Sequence, residues 1–286
     1  ESALLMDAFN ILLEEDIFRT NPQALEKLNG WVKARDASRQ PAAMYAMGSL
    51  LLEKDDLSGA VKMAEEGLSK YPQSLPVQIL SLNTITVLLD KNRLQDAERL
   101  ISKYPGSSPD LVFQQGALAF LKKDYSLAQK LFREAARRAS ETTAENALFN
   151  ENLAALNAND ASGAAALIKE AAGSSRLRES ILFEQAHYAA KRMAPQAAEL
   201  LANFITLAET PALKTQARLD QVEVALNLNP PDLETVQAIL PLLEKEQLSP
   251  EQTMQLARLN ILEAESRQEW PNACLLYTSD AADDKA

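Results

Sequence analysis

The strongest constraint on the fold is a spacing of small residues that occurs twice. Gly48 is followed by Ala60 after twelve residues and by Gly67 after seven more; Gly116 is followed by Ala128 after twelve and Ala135 after seven. Around each set the apolar residues recur at i, i+3, i+4 and i+7, the signature of an amphipathic helix. Met44, Met47, Gly48 and Leu51 share one helical face, Lys54-Asp55-Asp56 makes a turn, and Ala60, Val61, Ala64, Gly67 and Leu68 share a second face. Val112, Gly116 and Ala119, the turn Lys122-Lys123-Asp124-Tyr125, and Ala128, Phe132 and Ala135 repeat the arrangement. One small residue on each helix lets two backbones approach closely, so each stretch predicts a helix-turn-helix hairpin. Two hairpins in one register predict an internal repeat.

Weaker copies extend the pattern. They are anchored on Ala97, on Ala164 with Ile168 and Ala171, and on Ala197 with Leu201 and Phe204, at anchor spacings of 37, 31, 36 and 33 residues. Helical periodicity continues at 1–19 with 22–37, at 211–228 with 231–247, and in a last helix over 249–268. Breaks at Asn21-Pro22, Gln40-Pro41, Ser108-Pro109, Thr210-Pro211 and Ser249-Pro250 put Pro at helix starts, where its missing N–H costs no hydrogen bond. Gly is rare, at 8 residues, and runs of β-branched residues are nearly absent, so strands are not expected. The predicted class is all-α.

At these residues the chain resembles the tetratricopeptide repeat family, whose 34-residue unit has a Leu-Gly pair, an Ala twelve residues on and a late Pro. Residues 41–74 show Met47-Gly48, Ala60, Gly67 and Pro72; residues 109–142 show Gln115-Gly116, Ala128, Phe132 and Ala135. The Trp near the start of the family's unit is missing in every copy. The resemblance implies an α-α superhelix, a solenoid of about seven antiparallel hairpins forming one domain over 1–270. It also implies that the first helix of each unit lines a concave groove for a peptide or partner protein. The family's groove positions fall on Ala42, Tyr45, Ser49 and Leu52; on Ile79, Leu82, Thr86 and Leu89; on Asp110, Phe113, Ala117 and Phe120; and on Asn146, Phe149, Leu153 and Leu156. Of these, Tyr45, Ser49, Leu82, Thr86, Phe113, Phe120, Phe149 and Leu153 are the partner-binding candidates, with Tyr45, Phe113 and Phe149 as aromatic anchors. Members that clamp acidic tails use basic residues here; Tyr45, Ser49 and Asn83 stand near that pattern and the basic residues are missing, so that mode is not expected.

Elsewhere the residues argue against catalysis. A net charge of -11 disfavours nucleic acid and acidic membranes. No run reaches the 18 apolar residues of a membrane span. His187 is the single histidine, mid-helix, and is read as a helix-face or inter-helix residue; no metal-ligand, redox or phosphate-loop motif occurs, so no metal or cofactor is expected. Carboxylate pairs such as Glu14-Glu15, Asp55-Asp56 and Glu65-Glu66 lie at turns or on solvated faces. The single cysteine, Cys274, opens a segment, 274–286, that fits no repeat register and resembles translated adaptor read-through; it is read as a non-native tail. A start at Glu1 and a body without Cys incline the reading toward an exported bacterial protein of the periplasm or cell envelope. The functional expectation is a non-enzymatic interaction scaffold; the alternative is the repeat region of a larger enzyme or of an envelope assembly for secretion or polysaccharide.

Overall fold

The computed structural model describes residues 2–34 and 36–268. It is 80% helical, and no strand occurs among the described residues. The segment 274–286 lies outside them. The chain divides into two compact units, Glu1–Ala158 and Asn159–Ala286.

The first unit contains α1 (Ser2–Glu14), α2 (Ile17–Thr20), α3 (Pro22–Lys33), α4 (Gln40–Glu53), α5 (Leu57–Lys70), α6 (Leu75–Asp90), α7 (Leu94–Lys103), α8 (Pro109–Leu121), α9 (Tyr125–Arg138) and α10 (Glu141–Asn157). Neighbours pack in pairs, α4 on α5, α6 on α7 and α8 on α9, while α4, α6, α8 and α10 also pack successively side by side. The second unit contains α11 (Ala161–Glu170), a 3-10 turn (Ala171–Gly173), α12 (Ser175–Lys191), α13 (Ala197–Leu207), α14 (Pro211–Leu226), α15 (Leu233–Leu243) and α16 (Pro250–Ser266). There α12 pairs with α13 and α14 with α15, and α12, α14 and α16 pack in succession.

One turn is used again and again. Asp55, Asn92, Lys123, Asn159 and Met193 all have positive φ, between 49° and 65°, and each follows the last residues of a helix. At four of these turns the next residue closes a six-to-one hydrogen bond: Asp56 N to Leu51 O, Arg93 N to Leu88 O, Asp124 N to Ala119 O, and Ala194 N to Ala189 O, at 2.7–2.9 Å. This left-handed cap satisfies carbonyls that a helix end otherwise leaves unpaired. Asp56, Asp124 and Asp160 then cap the next helix, each accepting a backbone N–H three residues on, a bond worth about 1 kcal/mol. Four or five residues past each left-handed residue stands an alanine: Ala60, Ala97, Ala128, Ala164 or Ala197, none more than 3% exposed. The turn and the alanine therefore travel together, and the drift in spacing is absorbed between hairpins.

The glycines do different jobs. A Cβ on Gly116 would lie 2.8 Å from Cδ1 of Phe132 on the paired helix, so Gly116 closes its own hairpin. A Cβ on Gly48 would run into Cδ1 of Leu80 on α6, so Gly48 admits the next hairpin rather than its own partner α5.

Boundaries differ from the sequence reading in three places; the helix expected over 22–37, for one, ends at Lys33. Residues 1–19 read as one helix, but the chain turns at Asp16, φ 55°. Phe9 and Phe18 are nine residues apart, half a turn out of phase on a straight helix. The turn brings both into the core, with ring centroids 6.0 Å apart and Trp31 5.7 Å from Phe9. The helix expected over 231–247 is Leu233–Leu243, with Pro241 in its last turn. Proline lacks the N–H that would bond four residues back, so Pro241 takes one hydrogen bond out of that turn.

Helix propensity alone makes Gly→Ala favourable by about 0.5–1 kcal/mol. Gly30, on α3, has open space around its Cβ position. Gly30→Ala should therefore raise the urea midpoint, whereas Gly116→Ala should lower it, with overpacking costing about 1–3 kcal/mol.

Candidate functional site

All the partner-binding candidates stand on α4, α6, α8 and α10 of the first unit. Tyr45 is half-buried; its hydroxyl donates to Oδ1 of Asn10 at 2.8 Å, tying α4 to α1. Its ring packs against the same apolar cluster as Leu82, which is built on Leu80, Ile85 and Leu88. Ser49 donates to the Tyr45 carbonyl at 3.0 Å. Thr86 is exposed; it donates to the Leu82 carbonyl and accepts from Gln114 Nε2 at 2.8 Å, so α6 and α8 are bridged on this face. Phe113 and Phe120 both pack against the cluster around Phe132, Ala128 and Ala154. Phe113 lies 5.3 Å from the Phe132 ring, and Phe120 lies 5.3 Å from Tyr125. Phe149 and Leu153 are half-buried one turn apart on α10. Two other residues of the same register, Ala42 and Leu89, are buried.

The structure thus brings Tyr45 together with Leu82, and Phe113 with Phe120, in packing roles. Their partly exposed edges are what they offer outward. Around them the exposed or half-exposed groups are chiefly amides and hydroxyls: Ser49, Asn83, Thr86, Gln114, Asn146 and Asn150. Such a face has apolar edges for side chains and neutral hydrogen-bonding groups for a main chain.

Two buried polar pairs were not anticipated. Glu151 of α10 is fully buried and takes Arg133 Nε of α9 at 2.6 Å, an ion pair inside the hairpin stack. His187 does lie between helices, but its partner is Asp220 of α14, fully buried, with Nδ1 2.5 Å from Oδ2. The signal was a separation of 33 residues, one repeat length. A like interval links other pairs across hairpins: Arg99 with Glu65 at 34 and Arg192 with Asn159 at 33.

The second unit also holds an open cavity of about 210 Å³ lined by Leu182, Phe204 and Leu207 and by Arg178, Glu179 and Glu209. Glu179 is occupied structurally, accepting the Glu209 and Thr210 amides and the Thr210 hydroxyl, each at 2.7 Å. Burial opposes its ionisation, but these bonds prevail and hold its carboxyl below the usual range. Among the described residues no group of three or more His, Cys, Asp or Glu side chains is arranged to hold a metal ion. No helix among them is long and apolar enough to cross a membrane. No protein-family model and no curated protein matches the chain.

Packing and display can be separated by substitution. Phe113→Ala removes a half-buried ring from Phe132 and should cost about 2 kcal/mol, somewhat less than a fully buried Phe. Thr86→Ala, on the exposed face, should stay within about 0.5 kcal/mol in the same urea titration.

Proposed function

We propose that this chain is a tetratricopeptide-like α-α superhelix that serves as a non-enzymatic scaffold, binding a peptide segment or partner protein along the first-helix face of residues 40–157. The observation that carries the reading is the repeated joint: a left-handed turn residue followed by a buried alanine, at intervals set by one hairpin. A hairpin cannot bury its apolar face alone, so repeats of this kind stack, and stacking sets first helices beside one another as a long continuous surface. The side-by-side packing of α4, α6, α8 and α10 supports that arrangement.

The character of the face supports a main-chain ligand. It offers aromatic edges at Phe113, Phe120 and Phe149 and neutral polar groups at Thr86, Gln114 and Asn150, with no Lys, Arg or His at any of the sixteen register positions. An extended segment with apolar side chains meets both needs. A highly acidic one does not, because no cation there offsets its charge.

Photo-crosslinking tests the assignment. A benzoylphenylalanine at Thr86 or Phe149 should capture partner proteins in cells of the source. The same group at Lys62 or Lys130, exposed on the second helices α5 and α9, should capture none of them. Equal capture from both sides would remove the first-helix face as the binding surface.

A further inference from the structure

His187 of α12 and Asp220 of α14 lie on neighbouring first helices of the second unit, and the carboxylate between them is fully buried. The imidazole is 29% exposed, lies nearly parallel to Phe183 with ring centroids 5.4 Å apart, and keeps a path to solvent. The other carboxylate oxygen of Asp220 has weaker company: Gln216 Nε2 at 3.2 Å and Lys191 Nζ at 3.9 Å, the latter on a half-exposed side chain. Gln216 passes the connection on. It donates to Gln255 of α16 at 2.9 Å and accepts from Gln252 at 3.3 Å. One buried carboxylate therefore sits at the centre of a polar chain running through α12, α14 and α16.

The charged groups around the ring are few. Its own helix contributes Glu184 and Lys191, and α14 contributes Asp220. Glu223 of α14 is drawn in through Lys191 at 3.3 Å and is approached by Arg258 of α16 at 3.7 Å. Among the described residues, no charged side chain of α11 or α13 acts on the ring.

We propose that the His187–Asp220 pair is a proton-operated clasp: it fastens α12 to α14 while the imidazole carries its second proton and slackens when that proton is lost. A protonated ring gives the buried carboxylate a charge-assisted hydrogen bond. A neutral ring still donates one N–H but no longer offsets the charge, and a buried charge without a counter-charge is strongly unfavourable. Lys191, farther away and half in solvent, is a poor substitute.

The hydrogen bond to Asp220 raises the His187 pKa above its ordinary 6.5, outweighing burial. Because the folded state binds the proton more tightly than the unfolded chain, the stabilisation is complete below pH 6.5 and is lost as pH rises through the folded value. Glu184 acts in the same direction. Burial raises its pKa above 4.5, so its share is present below 4.5 and lost as pH rises above it.

As the chain has one histidine, its ring Cε1–H resonance can be titrated without assignment. In the full chain the midpoint should lie above 6.5, and in urea it should return to about 6.5. Amide exchange in α12 and α14, corrected for its intrinsic pH dependence, should speed up between pH 6 and 9, and His187→Gln should abolish that change. A native midpoint at or below 6.5 would overturn the proposal, and so would exchange in His187→Gln that keeps the wild-type pH dependence. Asp220→Asn, where it folds, should bring the midpoint back toward 6.5. The wild-type titration decides the matter even if that variant does not fold.

Discussion

The structure depends on how closely two helices can approach just after a left-handed turn. The turn reverses the chain in about three residues, and the alanine that follows has to lie against the helix it has just left. A methyl group fits there, and a longer side chain would hold the helices apart. The hairpins α4–α5, α6–α7, α8–α9 and α12–α13 each meet this condition with a buried alanine. The larger core side chains, Phe132, Leu80, Leu100, Leu167 and Leu201, fill the space that this close approach defines. Because interiors are packed nearly as densely as crystals, the joint fixes the geometry of everything stacked on it.

This joint was legible because it is local. The left-handed residue and its alanine stand five residues apart, Asp55 with Ala60 and Lys123 with Ala128, inside one hairpin. Proline punctuation was legible for the same reason: Pro22, Pro41, Pro109, Pro211 and Pro250 all stand at the first or second position of a helix. The break at Asp16 was not, since neither Pro nor Gly marks it and its cause is the distant demand that Phe9 and Phe18 share one core. Asp220 was hidden in another way. It stands among Leu219, Val222 and Val224 as an apparent interruption of an apolar pattern, and only its distance from His187, measured in repeats, gives it a partner.

The groove candidates show where local reasoning stops. The register put Tyr45, Phe113 and Phe120 on one side of the first helices, and there they are half-buried. Yet each also braces the fold, through Asn10, Phe132 and Tyr125 respectively. In a stack of hairpins the first helices must both contact one another and present a surface. A residue between them therefore has a packed side and an exposed edge, and periodicity cannot apportion the two. The exposed ion pair Arg99–Glu65, spaced one repeat apart, adds register more than stability, because exposed ion pairs contribute little.

The requirement for a small side chain at the joint is best tested by the same substitution at neighbouring positions on one helix. Ala197 and Ala198 both lie on α13, the first at the joint with α12 and the second exposed. Urea unfolding of the two Ala→Val variants should show a loss of about 1–3 kcal/mol beyond helix propensity at Ala197, and a propensity-sized loss alone at Ala198. Equal losses at the two positions would contradict the account.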